Sequence, residues 1–305
     1  MTTSELPAGA SLRRNATLVG IALMMLGVFL YSLNDALGKY MLATYSVGQM
    51  LLIRASAALI VLSPFIWTQR AAFGTIPRPG LQLVRVFLST AEVVMFFWAV
   101  TYLPLADTVT YYLAGPIYVT ALSPILLREH VGWRRWTAVV IGFVGVIITL
   151  NPSPATLTLP AIIALFGSFF FAMLMIATRH LRGTPDIVMA TSQIGATWVL
   201  AAFWAPIGWI APTLVDMSLM ALLGVVAVVA MMSVNRSLKL APASVVVPYQ
   251  YMLIVWAVIL GYLVFNEVPK IHVIVGSLII VLAGLYIFWR EQANAKEPLV
   301  EQPPG

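Results

Sequence analysis

The sequence has no cysteine and few charged residues, and each scarcity excludes a class of function. Of the 305 residues, 9% are charged and 61% are hydrophobic, whereas an ordinary soluble domain has about 25% charged residues. Without cysteine the chain has no disulfide, thiolate nucleophile or Cys-ligated metal site. The three histidines lie far apart at predicted helix ends, so a His-based metal centre is not expected: His130, His180 and His272. No soluble core needs this much apolar surface, and the chain is predicted to cross a membrane many times.

Apolar runs separated by polar or Pro/Gly breaks predict ten spans, because a spanning helix needs about 20 apolar residues. The predicted spans cover residues 17–38, 47–68, 82–102, 105–127, 134–150, 158–179, 187–209, 215–235, 242–265 and 270–289. The first run is longer than the apolar core of a signal peptide and has no small-residue cleavage site. It is therefore expected to remain as a span.

The loops between these spans differ in their content of Lys and Arg. With the N-terminus in the cytoplasm, fourteen basic residues fall in cytoplasmic segments and only Lys39 and Lys270 in the loops on the other side. Because basic residues collect on the cytoplasmic side, both termini are predicted to be cytoplasmic. The net charge of +6 is spread over these loops without a basic patch, so nucleic acid is not an expected partner.

Two stretches of the chain look alike, residues 103–150 and 240–288. Each begins with Pro and small residues, continues with an apolar run to a lone glutamate, Glu129 or Glu267, and ends in a Gly-containing apolar helix. If each half has five spans, an odd number, the second half is inserted upside down. Inverted repeats are typical of alternating-access transporters, whose substrate site lies near the middle of the membrane between the repeats.

This paired pattern resembles the EamA domain, present twice, of the drug/metabolite transporter superfamily in its ten-helix metabolite-exporter branch. The segments SLNDALGKY, YLPLADT and APASVVVPYQY, together with Arg54, are similar to bacterial members that transport riboflavin, S-adenosylmethionine or amino acids. The resemblance implies an all-α integral membrane protein of the bacterial inner membrane. Its ten helices would form two inverted five-helix repeats around a central cavity lined by helices 1, 3, 4, 6, 8 and 9. The expected repeats are residues 17–150 and 158–289, with a periplasmic linker at 151–157 and cytoplasmic tails at 1–16 and 290–305.

Three ionisable residues lie well within the predicted spans: Asp35, Arg54 and Glu92. Such residues are costly in lipid and usually face a partner or a wet cavity. Asp35 and Arg54 are at comparable depth, and Lys39 is one helical turn beyond Asp35. We expect Asp35 to be balanced by Arg54, Lys39 or both. Such a pair either fixes helices 1 and 2 together or forms an external gate that is remade during transport.

Glu92 is near the middle of helix 3 and has no obvious local partner. Three roles are open for a carboxyl at this depth. It could bind protons during transport, it could bind the ammonium group of an amino-acid substrate, or it could be a protonated structural group bonded to a neighbouring helix.

Aromatic and polar side chains gather where the resemblance places the cavity: Trp98, Tyr111, Tyr112, Tyr118, Ser168, Tyr249, Gln250 and Tyr251. Such a lining suits a flat, partly apolar ligand, although Tyr and Trp also populate membrane interfaces. Glu129 and Glu267 are expected to cap the helix that follows each of them. Pro116 and Pro248 lie inside predicted spans, where they act as hinges or as packing kinks.

These features predict a secondary transporter of small organic metabolites. The sequence has no phosphate-binding loop and no soluble domain to hold ATP, and no cofactor or metal is expected. One Asp, one Glu and no His within the spans argue against an intramembrane enzyme, while a channel or scaffold is the remaining class. We predict export of amino acids, aromatic ones included, by alternating access, with uptake of riboflavin or S-adenosylmethionine as the alternative. The protein is expected to be a monomer or a weak dimer in the lipid bilayer.

Overall fold

The chain is helical throughout the part that the structure describes. This computed structural model describes residues 8–74, 76–126, 133–151, 158–181, 183–240 and 246–294, and these contain no β-strand. The α-helices are α1 (Ala8–Leu42), α2 (Val47–Thr68), α3 (Pro79–Tyr102), α4 (Leu105–Tyr112), α5 (Gly115–Leu126), α6 (Trp133–Leu150), α7 (Leu159–His180), α8 (Asp186–Trp204), α9 (Leu214–Leu240), α10 (Met252–Phe265) and α11 (Ile271–Asn294). Two short 3-10 helices are Arg70–Phe73 and Val247–Tyr251.

Six of these helices are long and apolar enough to cross a membrane: α1 from Thr17, α2, α3, α7, α8 and α9 as far as Ser237. Shorter apolar helices cover Trp136–Thr149, Tyr249–Phe265 and Ile271–Ala283. Large apolar side chains on the outside of the bundle are exposed, such as Ile60, Leu83 and Phe87. The chain is therefore an integral membrane protein whose outer surface is solvated by lipid.

Some helices extend past the limits that the apolar runs predicted. α1 begins at Ala8, within the segment predicted to be a tail up to residue 16, and α11 continues to Asn294, beyond residue 289. Residues 8–16 include three Ala, two Arg and one Leu, which favour helix. The apolar run locates the part of a helix that lies in the membrane, and the helix itself is longer.

The predicted span at residues 105–127 consists of two helices. α4 ends at Tyr112 and α5 begins at Gly115. Pro116 has no backbone N–H to donate to the Tyr112 carbonyl four residues earlier, so the hydrogen-bond ladder is interrupted at this point. Pro248 lies in the 3-10 helix that leads into α10, and hence before the α-helix rather than inside it. A hinge role for either proline stays a prediction.

The helix pairs of the two halves correspond to each other. α1, the first helix of the first half, packs on α9, the third of the second half, and α7, the first of the second half, packs on α3, the third of the first. α2 packs on α8 and α6 on α11, each pair joining equivalent helices. The pattern is unchanged when the halves are exchanged, as approximate two-fold symmetry requires.

Candidate functional site

Asp35 faces the interior of the helix bundle. The lipid-facing side of α1 carries Leu26, Phe29 and Leu33, which are all exposed. At about 100° per residue, Asp35 lies about 200° around the helix from Leu33, and Tyr31 lies the same angle away in the opposite direction. The two residues thus share the inward face. Asp35 is half-buried, so its carboxyl is turned away from lipid but is not sealed by packing.

Glu92 likewise lies on an inward side, that of α3. Phe87 is exposed to lipid, and Glu92 lies about 140° around the helix from it. Glu92 is half-buried. Arg85, seven residues earlier on the same face, is only 3% exposed. This face of α3 therefore places two ionisable side chains inside the bundle, Arg85 and Glu92, two helical turns apart.

Arg54 reaches the same region from α2. Its Cζ atom lies 5.0 Å from the centroid of the Phe97 ring, a cation–π arrangement. Its Nη1 atom is fully enclosed and has no hydrogen-bond partner among the described residues. The α2 backbone is located by a close approach to α9, since a Cβ added at Gly224 would collide with the carbonyl oxygen of Arg54. Glycine is required there to let the two helices meet.

These three charged side chains form one electrostatic group. Asp35 and Glu92 each interact with the Arg54 guanidinium, and the two carboxyls also interact with each other. Among the residues that the structure describes, none of the three takes part in a salt bridge, and the Arg54 Nη1 atom has no hydrogen-bond partner. The expected direct pair of Asp35 with Arg54 is thus not formed. We call these three side chains, which interact electrostatically inside the bundle, the interior charged site.

Tyr112 is a predicted cavity residue that contacts the backbone of Glu92. Its hydroxyl donates to the backbone carbonyl of Glu92 at 3.3 Å. Its ring is edge-to-face with Phe96 at 5.1 Å and lies 6.2 Å from Phe171. A Cβ at Gly167 would collide with the Tyr112 hydroxyl. Tyr112 therefore connects α4, α3 and α7 on the aromatic side of the site.

Tyr118 on α5 and Ser168 on α7 are two further residues of the predicted cavity. The Tyr118 hydroxyl interacts with the side chain of Ser168 on α7. The Tyr118 ring contacts Phe143 at 5.5 Å and Phe169 at 5.9 Å between centroids. The sequence predicted both residues for the cavity. The Ser168 hydroxyl donates to the Leu165 carbonyl at 2.8 Å, and Tyr118 lies in an aromatic cluster between α5, α6 and α7.

Trp98 does not join the interior charged site. It is six residues after Glu92, about 240° around α3, and so faces a different neighbour. Its ring packs on Tyr102 at 4.8 Å. With Tyr45 and Trp204 it lines a separate pocket at the end of the bundle where α2 begins.

The remaining predicted cavity residues lie in several separate parts of the helix bundle. Tyr111 is buried in a small core cluster between α3, α4 and α7. Tyr249 packs against the core residues of α1, and Gln250 is buried. Tyr249 and Tyr251 line an apolar cavity of about 330 Å³ against α11. The predicted lining is therefore not one continuous surface here, because neighbouring residues on a helix point in different directions.

Lys39 pairs with Glu267 and not with Asp35, which corrects the pairing expected from the sequence. Its ammonium forms a salt bridge with Glu267 and donates to the Leu103 carbonyl at 2.8 Å. The second oxygen of Glu267 accepts from the backbone N–H of Leu105 at 2.9 Å. Lys39 lies a turn nearer the end of α1 than Asp35, and its long side chain reaches the loops there.

We call this arrangement the Lys39–Glu267 bridge. It joins α1 and the turn between α3 and α4, in the first half, to the loop between α10 and α11, in the second. Glu267 caps the first turn of α4, a helix far away in the sequence, instead of the helix that follows it. Glu129 lies outside the described residues.

Arg85 was assigned by its charge to a cytoplasmic segment, yet it lies inside the bundle. Its Nε donates to the Thr178 hydroxyl at 2.9 Å, and its two terminal nitrogens donate to the Met189 carbonyl and the Gln193 side chain, each at 3.3 Å. These bonds join α3 to α7 and α8. A buried arginine with three acceptors is a structural link between the halves.

Two polar residues that the sequence analysis did not single out also join the halves. Asn34 donates to the Leu223 carbonyl at 2.7 Å. The Gln49 side chain bonds both the carbonyl and the N–H of Ile210. Polar residues inside apolar runs commonly bond across helices, so their position in the sequence was a usable signal. The described residues contain no group of three or more His, Cys, Asp or Glu that could hold a metal ion.

The apolar exterior, the matching halves and the interior charges define an integral membrane protein of the transporter class. The chain belongs to the EamA-like transporter family, which it matches twice, at residues 18–151 and 158–289. Its named relatives belong to the drug/metabolite transporter superfamily. The family and these relatives are transporters and not enzymes.

Several curated relatives are similar over most of their length. The S-adenosylmethionine uptake transporter of Rickettsia bellii is 25% identical over 275 residues, 90% of this chain and 94% of the relative. The riboflavin transporter of Vibrio cholerae is 27% identical, over 81% and 84%. The pseudopaline exporter CntI of Pseudomonas aeruginosa is 25% identical, over 87% and 94%.

One solved crystal structure has the same fold. It superposes with a TM-score of 0.62 at 15% identity and covers 93% of this chain and 99% of its own. At this identity the likeness concerns the fold alone.

Proposed function

We propose that the protein is a secondary transporter of amino acids and related small organic metabolites, and that the interior charged site binds them. The observation that carries the proposal is the meeting of Asp35, Arg54 and Glu92 inside the bundle without a direct ion pair. Charged groups within a membrane are costly and usually mark a substrate or ion pathway. The two carboxyls provide acceptors for a substrate ammonium group or for protons.

We further propose ten membrane-spanning helices in two inverted repeats, with both termini in the cytoplasm of a bacterial cell. On this view α4 and α5 form one broken span, and α6, α10 and α11 are short spans. The correspondence of helix pairs between the halves supports the repeat, and an odd number of spans per half inverts the second. Alternating access then follows from rocking of one half against the other around the site.

Two directions of net transport are candidates. Export of amino acids, aromatic ones included, is the prediction from the sequence, and the rings of Phe96 and Tyr112 beside Glu92 support an aromatic ligand. Uptake of S-adenosylmethionine or riboflavin is the second candidate, because relatives with those names align over most of this chain. Glu92 and Asp35 are the candidate proton carriers if transport is coupled to a proton gradient.

The test is counterflow in proteoliposomes with labelled phenylalanine, threonine, S-adenosylmethionine and riboflavin. We expect the parent protein to accumulate at least one amino acid or amino-acid derivative, and Glu92→Gln to lose this accumulation. The matched control is Glu291→Gln, the same change beyond the predicted last span. Failure of all four compounds to accumulate would contradict the proposal. Whole-cell efflux and uptake of the accumulated compound then decide the direction.

A further inference from the structure

The segment that connects α8 to α9, residues 205–213, is both apolar and exposed, and we call it the α8–α9 loop. Residues 187–215, which include it, contain no charged residue. A connecting segment in water is normally polar, and an exposed apolar run needs a functional reason. The large side chains of the loop and of the helix ends beside it are apolar and 47–81% exposed: Phe203, Ile207, Trp209, Ile210, Leu214 and Val215.

This apolar surface continues onto the lipid-facing sides of both helices. On α8 it reaches Val199, one helical turn before Phe203, and on α9 it reaches Leu222, two turns after Val215. A large exposed apolar surface marks a contact with a partner, and this one is continuous with a surface that lipid already covers. Trp209 adds a side chain of the type that collects at the boundary between membrane and water. These features identify the bilayer as the partner.

The backbone of the loop is prepared for such a position. Irregular backbone is costly beside lipid unless its polar groups are bonded within the protein. Gln49 on α2, which is fully buried, provides these bonds at Ile210. Its amide group donates to the Ile210 carbonyl, and its oxygen accepts from the Ile210 N–H at 3.1 Å. One side chain thus makes both bonds that a neighbouring strand would make.

The end of the loop is fixed to the same part of the first half. The Thr213 hydroxyl accepts from the Asp216 N–H at 3.1 Å, and the Asp216 carboxylate accepts from the Tyr45 hydroxyl, just after α1, at 2.8 Å. Gly208 has a φ of 71°, which glycine adopts without strain. The loop is therefore held against α2 and the turn before it, while its apolar side chains stay on the outside.

We propose that the α8–α9 loop is an anchor in the interfacial layer of the phospholipid bilayer, and that Gln49 holds it there through the backbone of Ile210. The partner is the lipid surface at the end of the bundle where α2 begins. This inference goes beyond transport, because it concerns how that end of the protein is seated in the membrane. It holds whatever compound the protein carries.

The depth of the loop is measured with a spin label in proteoliposomes. The chain has no cysteine, so Ile207→Cys places the label at one position. We expect oxygen, which dissolves in lipid, to relax this label severalfold more effectively, relative to a water-soluble nickel chelate, than it relaxes a label at Gln69→Cys. Gln69 is exposed in the polar segment after α2, and a label at Leu33→Cys gives the reference for a lipid-facing position.

Two results of this measurement would overturn the anchor. A label at residue 207 that behaves like the label at residue 69 would place the loop in water. A label that neither oxygen nor the chelate reaches would mean that protein covers the loop, as in contact between two copies of this chain. The measurement requires no change at Gln49.

The role of Gln49 is tested with the same label. Gln49→Met keeps the length of the side chain and removes both bonds to Ile210, so the label should become more mobile and severalfold more accessible to the chelate. Gln49→Asn is too short to make both bonds and should shift the signal in the same direction. The matched control is Gln82→Met, because Gln82 is also buried but bonds the Ser192 side chain at 2.7 Å. A label that is unchanged in both Gln49 variants, or changed equally by Gln82→Met, would overturn the role of Gln49.

Discussion

At the scale of single residues, Gly224 controls the position of Arg54. An added Cβ would collide with the Arg54 carbonyl oxygen, so Gly224→Ala should separate α2 from α9 and displace the guanidinium. We expect a loss of about 1–3 kcal/mol in stability, as for overpacking in a core, and a lower transport rate. Thermal unfolding in detergent and counterflow measure the two effects.

Gly195 on α8 is the matched control for this substitution. A Cβ added there meets no atom within 4 Å. Gly195→Ala should therefore be neutral or up to about 1 kcal/mol more stable, because Ala favours helix over Gly. Equal behaviour of the two alanine variants would mean that α2 and α9 do not make this close contact in the membrane.

The charged residues of the site could be predicted from the sequence, whereas their partners could not. Asp35, Arg54 and Glu92 stand out because each interrupts an apolar run. Which groups they face depends on helix rotation and on packing between helices that are distant in sequence. The place of Trp98, in contrast, could have been predicted: it is close to Glu92 along α3 but faces another pocket. Helical spacing alone would have separated these two residues.

At the scale of helices and loops, the Lys39–Glu267 bridge holds the two halves together at one end. Each residue alone is an ordinary charge near a helix end, and 228 positions of sequence separate them. Only the fold brings these two residues together. From the sequence, the nearer Asp35 was expected to pair with Lys39. The helix break after Tyr112 was easier to predict from the sequence. Pro116 lacks a backbone N–H and therefore interrupts an α-helix whatever its neighbours in the fold.

If transport requires this end of the bundle to open and close, the bridge must break and re-form. Lys39→Glu and Glu267→Lys should each lower the transport rate and the stability, the latter by about 1–2 kcal/mol for a partly exposed pair. The double variant should recover only in part, because a lysine at 267 cannot accept the Leu105 N–H bond that Glu267 accepts. Counterflow and thermal unfolding of the three variants test this.

The outcome of the double variant is decisive for the bridge. Full recovery would show that charge pairing is the whole contribution and that the cap on α4 is dispensable. No recovery, together with normal stability of both single variants, would contradict a role of this ion pair in transport.

At the scale of the whole molecule, the paired arrangement of the halves was predictable in outline. Similar stretches at residues 103–150 and 240–288 indicated a repeat, and the helix pairs correspond between the halves. The lengths of the individual apolar helices were harder to predict from the sequence. Among the helices that the structure describes, six are long enough to cross a membrane and others are shorter. Tertiary packing compensates for short helices, and the sequence does not show that directly.

In alternating access, the interior charged site is reached in turn from the two sides of the membrane. The chain has no cysteine, so one introduced cysteine reports on a single position. Tyr31→Cys is on the inward face of α1, and Leu33→Cys, two residues on, is on the lipid-facing side. The measurement is their labelling by a membrane-impermeant thiol reagent in right-side-out and in inside-out vesicles.

We predict that Tyr31→Cys reacts in both vesicle orientations, that a transported substrate slows the reaction, and that Leu33→Cys is inert to the polar reagent. A Tyr31→Cys protein that is inert in both orientations, or reacts from one side regardless of substrate, would contradict alternating access to this site.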